Sequence, residues 1–281
     1  MRVLVTGLEG FTGKYIREEL EAHGHTVVGL TSDLMQAPAV DDEVAGILPE
    51  AVIHLAGISF VQNEDINQIY QVNLLGTRNL LESLFKHVTE LKCVILASTG
   101  NVYGNSTEGM LSEDSPLHPA NDYSVSKLAM EYMSALWSDK LPICIVRPFN
   151  YTGVGQSDRF LIPKIVSHFK MKAPMIELGN LDVSREFGDV RRVAEVYRKL
   201  VEKEHVAGVV NICTGKAYSL KRVIGMCESL TGHSIGVNVN PLFVRQNEVR
   251  TLVGDSSKLT RIIGTCTEFD FEETLRWMLS S

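Results

Sequence analysis

Positive charge is in deficit in this sequence. Its 281 residues hold 27 Lys and Arg against 34 Asp and Glu, a net charge of −7. That argues against nucleic acid as the main partner, because a phosphate backbone calls for a cationic face. It leaves room for a small anionic ligand gripped by a few placed arginines. Long apolar runs are also missing, so no membrane span is expected. The opening MRVLVTGLEG does not read as a signal peptide, since its apolar run breaks at Gly7. The expected location is the cytoplasm. Cysteines number five, an odd count, with no pair at CxxC spacing. Cys93, Cys144 and Cys213 sit in apolar runs and read as reduced core residues. The eight histidines are scattered, and no His, Cys and carboxylate cluster has ligand spacing, so no metal is expected. His54 lies in an apolar run and reads as a packed core residue, not a base. Repeats, low-complexity stretches and charge blocks are absent.

Hydrophobic residues make up 44% and charged residues 22%, ordinary for a globular protein long enough to bury a sizeable core. Short Val- and Ile-rich runs at Arg2–Thr6, Thr26–Leu30, Ala51–Leu55, Cys93–Ser98 and Ile143–Arg147 read as strands buried on both faces. Helical patterns lie between them, at Lys14–His23 and Asp122–Ser138. Another runs through Ile66, Ile69, Tyr70, Asn73, Leu74, Thr77, Leu80 and Leu81. Strands alternating with helices predict an α/β fold with a doubly wound parallel sheet. Beyond Arg147 the pattern loosens. Ile162–Lys170, Leu220–Leu230 and Phe271–Leu279 read as helices, and Val209–Cys213 as one more buried strand. The expected organisation is a dinucleotide-binding domain over 1–149, completed by about 184–216. A smaller lobe over 150–183 and 217–281 covers the carboxyl edge of the sheet.

The segment Thr6-Gly7-Leu8-Glu9-Gly10-Phe11-Thr12-Gly13 follows the first strand and opens the first helix. Gly7 permits the tight turn, Gly10 lets backbone approach a pyrophosphate, and Gly13 allows helix and sheet to pack closely. The helix N-terminus then offers N–H groups to the anion. The second strand ends Gly29-Leu30-Thr31-Ser32-Asp33-Leu34. A carboxylate at that strand end would take the ribose 2′-hydroxyl of NAD. The place near Thr31 holds a small hydroxyl instead, which tolerates a 2′-phosphate and tilts the reading toward NADP over NAD. No arginine follows to grip that phosphate, and Asp33 can serve the ribose instead.

Tyr123 and Lys127, in Asn121-Asp122-Tyr123-Ser124-Val125-Ser126-Lys127, stand at i and i+4 and so share one helix face. A neighbouring ammonium is expected to lower the phenol toward its working range. Tyr123 then exchanges a proton with a hydroxyl or carbonyl oxygen, and Lys127 also holds the cofactor ribose. A solvent-facing Tyr and Lys is the alternative; position downstream of the glycine loop favours the catalytic one. The fourth strand runs into Ala97-Ser98-Thr99-Gly100-Asn101-Val102-Tyr103-Gly104, where ligands bind in such sheets. Thr99 can hydrogen-bond the same substrate oxygen, while Ser98 reads more as a backbone cap.

Together these segments resemble the extended short-chain dehydrogenase/reductase family, its nucleotide-sugar branch. The likeness runs from Val3 to about Leu275 through TGLEGFTG (6–13), HLAG (54–57), NLLGTRNLLE (73–82), STGNVYG (98–104), YSVSK (123–127), RPFNYTGVGQ (147–156) and SREFGDV (184–190). Within the branch, RPFNYTGVGQ, GNLDVSREFGDV and GDSSKL bring it nearest the GDP-4-keto-6-deoxymannose reductases. The resemblance implies a Rossmann-type fold with Tyr123 as acid/base, Lys127 as its partner and Thr99 as the third member. It assigns the pyrophosphate to Gly7, Gly10 and Gly13, with Phe11 and Thr12 in the same loop. Thr31, Ser32, Asp33 and Leu34 would lie by the adenosine, and Leu55, Ala56 and Gly57 along the cofactor. Only about twenty residues separate Asp33-Leu34 from HLAG, which implies a shortened third-strand region. Asn150 and Arg185 resemble substrate-binding residues, the arginine for the sugar-nucleotide phosphates. Arg245 and Glu248 resemble an Arg-x-x-Asp/Glu pair on phosphate and ribose, although Gln246 stands where the branch has proline.

The implied reaction is reduction of the C4 ketone of a nucleotide-linked 4-keto-6-deoxysugar. The branch's dehydratases carry an acidic pair after the threonine. Here Gly100 and Asn101 stand there, and neither can transfer a proton. A nucleotide-sugar 4-epimerase with tightly bound NAD would use the same residues, and a non-catalytic dinucleotide sensor would share the fold. The family also pairs the helices at roughly 64–86 and 122–138 into a four-helix bundle, which implies a homodimer.

Overall fold

The computed structural model describes residues 1–58, 65–104, 109–243 and 251–281. Along the first half run β1 (Arg2–Thr6), α1 (Phe11–Ala22), β2 (Thr26–Gly29), α2 (Ala37–Ile47) and β3 (Ala51–His54). Then come α3 (Ile66–Tyr70), a π-helical turn at Gln71–Gly76, α4 (Thr77–His87), β4 (Cys93–Ala97), β5 (Gly109–Leu111), α5 (Asp122–Ala135) and β6 (Ile143–Pro148). The second half holds β7 (Tyr151–Thr152), α6 (Leu161–Lys170), β8 (Met175–Leu178), β9 (Ser184–Glu186), β10 (Gly188–Asp189), α7 (Val190–Glu202) and β11 (Gly208–Ile212). The chain ends with β12 (Ala217–Ser219), α8 (Leu220–Thr231), β13 (Gly236–Val239), β14 (Thr251–Gly254), α9 (Ser257–Ile263) and α10 (Phe271–Ser280).

A six-stranded parallel sheet runs β11-β6-β4-β3-β1-β2. Its central strands β1, β3, β4 and β6 bury both faces, whereas β2, expected to do the same, lies at the edge and is partly exposed. Val3, Val5, Ile53, Ile95 and Val146 point to one side and pack on α1 and α7 through Ile16, Leu20, Val193, Tyr197 and Leu200. The alternate residues Leu4, Val52, Val94 and Leu96 pack on α2 and α4 through Val40, Val44, Leu80, Leu81 and Leu84. The sheet is therefore doubly wound, as expected from the alternation. The segment after β2 makes one helix and returns directly to β3, so β2 is the edge strand, in keeping with the short third-strand region. Strand order reverses between β1 and β3, and the crevice at their carboxyl ends is where such sheets take ligands.

Three helices lie outside the sequence reading. It assigns nothing to α2 or α9, nor to α7, whose Val190, Val193, Ala194, Tyr197, Leu200 and Val201 make a continuous buried stripe. That stripe has the helical period, so the signal for α7 was present. Asp189 caps it by accepting from the Arg191 N–H at 2.8 Å. A second apolar core joins α6, α8 and α10 through Ile165, Phe169, Val223, Leu275 and Met278. It lies in the C-terminal part of the chain beside the four-stranded sheet β12-β9-β14-β5. Cys93, Cys144, Cys213 and Cys227 are buried thiols, and no cysteine is in a disulfide.

Candidate active site

The loop between β1 and α1 is built by close approach. Gly7 has φ +71°, and a Cβ on it would stand 3.0 Å from the Ala56 nitrogen, so only glycine lets the ends of β1 and β3 come this near. A Cβ on Gly13 would lie 2.4 Å from the Leu8 carbonyl oxygen. Gly10 is the N-cap of α1 and supplies no capping side chain. The helix's first N–H groups thus face an exposed loop, with the partial positive charge that suits a phosphate. Thr12 Oγ1 bonds Tyr151 Oη at 2.7 Å, and Phe11 stacks on the Tyr151 ring at 6.2 Å.

Beneath the loop, a chain of hydrogen bonds locks the strand ends. The Thr77 hydroxyl donates to the Asn73 carbonyl at 2.8 Å, so its oxygen accepts from His54 Nε2 at 2.9 Å. His54 Nδ1 then accepts from Thr6 Oγ1 at 2.7 Å, which in turn accepts the Ala56 N–H at 3.1 Å. The direction of the chain assigns the proton to Nε2. Burial, with the Lys127 charge, pushes His54 down to about 3, so it is a neutral core residue, as its apolar setting implied.

Helix α5, which carries Tyr123 and Lys127, starts with a capping box. Asn121 Oδ1 accepts the Ser124 N–H at 2.9 Å, and Ser124 Oγ accepts the Asn121 N–H at 3.2 Å. This places Tyr123 in the first turn and Lys127 one turn on. Thr99, buried at the end of β4, lies close enough to the Tyr123 hydroxyl to lower its pKa, and its oxygen accepts the Asn101 N–H at 3.1 Å. Lys127 Nζ donates to the Ala97 carbonyl at 2.9 Å. A Cβ on Gly57 would stand 3.0 Å from that Nζ. The ammonium therefore sits against the segment that follows β3, between the strand ends and the phenol's helix.

The expected acidification of Tyr123 by Lys127 is not what the structure shows. Burial of the hydroxyl pushes the phenol up to about 12, with Thr99 lowering it and Tyr151 raising it. The residue as a whole is half-buried; its hydroxyl is the desolvated end. Burial likewise pulls Lys127 down to about 8, opposed by Glu131. Desolvation dominates: Lys127, whose Nζ donates to the Ala97 carbonyl, is not among the groups that shift Tyr123. Tyr123 is thus held as a protonated acid throughout the neutral range.

Two further expectations change. Ser98 is not a backbone cap: its hydroxyl donates to the Glu131 carboxylate. Glu131 also takes Arg147 in a two-pronged pair, Nε to Oε1 at 3.0 Å and Nη2 to Oε2 at 2.7 Å, both residues buried. Arg147 Nη1 donates on to Tyr103 Oη at 2.9 Å, and Tyr103 to Asn211 Oδ1 at 2.7 Å. At the end of β2, the assumption that no negative charge stands near Thr31 fails. Glu43, from α2, folds over and accepts from the Thr31 N–H and hydroxyl at 2.8 and 2.9 Å and from the Ser32 N–H at 2.8 Å. Asp33 turns away from this place and accepts the Met35 N–H at 2.9 Å. Leu34 is buried, and its carbonyl accepts from Asn79 Nδ2 at 2.9 Å.

Of the residues expected on the substrate, Asn150 is exposed at the end of β6, and its carbonyl accepts the Gly188 N–H at 2.8 Å. Arg185 lies on β9, half-buried, with Nη1 donating to the Ser184 carbonyl at 2.9 Å. Arg245 and Glu248 lie outside the described residues. Sequence reading missed Asn73 and Tyr151. Asn73 is fully buried in the π-helical turn; its amide takes the Ile58 N–H at 2.8 Å and gives to Ser126 Oγ at 3.0 Å. An amide inside an apolar helical stripe was the available signal, and π turns often mark functional sites.

A parallel sheet with a glycine-loop anion site at its switch point, and a Thr-Tyr-Lys group beside it, defines a short-chain dehydrogenase/reductase, an enzyme that works with a nicotinamide dinucleotide, NADP or NAD. The model of the NAD dependent epimerase/dehydratase family matches residues 3–213, and the chain belongs to that family. It is 36% identical over 275 residues to a GDP-6-deoxy-D-talose 4-dehydrogenase of Aggregatibacter actinomycetemcomitans, covering 96% of this chain and 93% of that protein. It is 34% identical over 295 residues to a GDP-6-deoxy-D-mannose reductase of Pseudomonas aeruginosa, covering 99% and 96%. The solved structure of RMD from Pseudomonas aeruginosa complexed with NADPH superposes with a TM-score of 0.90 at 32% identity, covering 99% of this chain and 97% of that one.

Proposed function

We propose that the protein reduces the C4 ketone of a nucleotide-linked 4-keto-6-deoxysugar of the GDP-4-keto-6-deoxymannose type. The observation that carries this reading is the Thr99–Tyr123 hydroxyl pair set beside the buried Lys127 at the glycine-loop crevice. Two relatives named for GDP-linked 6-deoxysugars, one of them for position 4, support the substrate class. A reduced nicotinamide, when bound, supplies the hydride. Tyr123 gives its proton to the carbonyl oxygen as charge develops there, and Thr99 steadies that oxygen by a hydrogen bond. Lys127 holds the ribose. The loop of Gly7, Gly10, Phe11, Thr12 and Gly13 takes the pyrophosphate. Residues 1–149, completed by 184–216, serve the dinucleotide. The segments 150–183 and 217–281 serve the sugar nucleotide, with Asn150, Arg185, Arg245 and Glu248 on it. Gly100 supports reduction over dehydration: a Cβ there would already lie 3.1 Å from the Phe149 ring, leaving no room for an acidic side chain.

The test is incubation with GDP-4-keto-6-deoxymannose and reduced dinucleotide, with product NMR. Mole-for-mole loss of reduced cofactor and a new C4 alcohol are expected. Turnover of a GDP-sugar with no net cofactor loss would assign a 4-epimerase, and no turnover with any keto-sugar would leave a sensor.

The cytoplasm is the proposed location; among the described residues no helix is long and apolar enough to cross a membrane. A homodimer is proposed through α3–α4 and α5. Leu75, Phe85, Val125, Tyr132 and Leu136 are exposed on or beside these helices, and clustered exposed apolar side chains are a common mark of an interface. Light scattering should give twice the chain mass for the wild type, and Leu136→Asp should shift it to the single-chain mass. A wild-type single-chain mass would refute the dimer.

A further inference from the structure

From residue 18 to residue 77 the sequence contains no lysine and no arginine. That span includes the edge strand β2 and α2 after it, the side of the sheet that receives the adenosine half of a dinucleotide. Its polar centre is Glu43. Both carboxylate oxygens are engaged at the end of β2, by the Thr31 N–H and hydroxyl and by the Ser32 N–H. Glu43 thus occupies three donors at the carboxyl end of β2. Burial raises the Glu43 carboxyl, but hydrogen bonds from Ser32 and Thr31 outweigh it and hold the group below the ordinary carboxylate range. It is an anion at neutral pH.

We infer that Glu43 selects the dinucleotide, favouring NADH over NADPH. The inference rests on the dinucleotide role of this edge and adds what sets the choice. A ribose 2′-hydroxyl can donate a hydrogen bond to the carboxylate. A 2′-phosphate accepts only, and brings roughly two negative charges to a place where the fixed charge is already negative and the backbone donors are taken. The 18–77 span holds no Lys or Arg to offset that repulsion, and Arg78 and Lys86 of α4 are paired with Glu82 and Asp41. Glu43 comes from a different element than the strand it guards. An acidic residue is therefore present at this point even though the strand end itself reads Thr31-Ser32.

Fluorescence titration of NADH and NADPH against wild type, Glu43→Gln and Asp42→Asn, without sugar substrate, tests this independently of the reaction. Wild type should bind NADH at least about tenfold more tightly, about 1.4 kcal/mol. Glu43→Gln keeps the side chain's shape and removes its charge, and should bring the two affinities together mainly by tightening NADPH. Asp42→Asn, on the same helix and exposed, should leave the ratio unchanged. Equal or tighter NADPH binding by wild type overturns the inference, and that measurement needs no variant. So does an unchanged ratio in Glu43→Gln, or an equal collapse in Asp42→Asn. Failure of both dinucleotides to bind would overturn the cofactor role of this edge as well, a result distinct from a wrong preference.

Discussion

Replacing Tyr123 by phenylalanine should cut kcat for keto-sugar reduction by roughly 10²- to 10⁴-fold, the usual worth of a positioned proton donor. Dinucleotide affinity should change far less. The substitution removes one hydroxyl from a half-buried ring, so thermal stability should stay close to wild type. The size of the loss follows from the site's electrostatics. Burial pushes the phenol up to about 12, so it carries its proton across the neutral range and is ready to give it to an oxygen gaining negative charge. Lys127, pulled down to about 8 by burial, is protonated at pH 7 and loses charge as the pH rises through that value. A reductase drawing on both groups should therefore lose kcat on the alkaline side first through Lys127, not through the phenol. Stopped-flow or steady-state loss of reduced cofactor, measured from pH 6 to 10, checks both statements. Full turnover by the phenylalanine variant would remove Tyr123 from the chemistry.

The second large effect should come from the pair behind the site. Arg147→Met should destabilise the fold by about 3–5 kcal/mol, read from urea denaturation, because it strands the Glu131 carboxylate in the interior. Arg147 and Glu131 are both almost fully buried, and their two short contacts tie β6 to α5, the helix of Tyr123 and Lys127. Ser98 alone would remain on the carboxylate. The double variant Arg147→Met with Glu131→Leu removes both charges and should recover most of the loss, since a buried pair often contributes little over a well-packed apolar one. A single variant as stable as wild type would mean that water reaches this network.

Much of this was legible in the chain. The short Val- and Ile-rich runs are strands, as their pattern suggests; β1, β3, β4 and β6 bury both faces, while the edge strand β2 is partly exposed. Gly7, Gly10 and Gly13 announce a loop pressed against a strand end, and Tyr123 with Lys127 a shared helix face. In each case the partners stand within eight residues of one another. Asn73 was less legible: its role depends on Ile58 and Ser126, which the fold brings to it from separate elements. The state of the phenol escaped sequence reading because pKa values depend on burial, which spacing does not report.

By itself the sequence determined the doubly wound sheet, the glycine loop and the helix face that Tyr123 and Lys127 share, because those rest on backbone geometry and side-chain period over one or two turns. Only the tertiary structure decided which charges meet. Glu43 reaches the end of β2 across a turn, Glu131 meets Arg147 across a strand and a loop, and Lys127 spends its proton on Ala97. Electrostatic partners are chosen by distance in space and by desolvation, and neither is written in the order of residues.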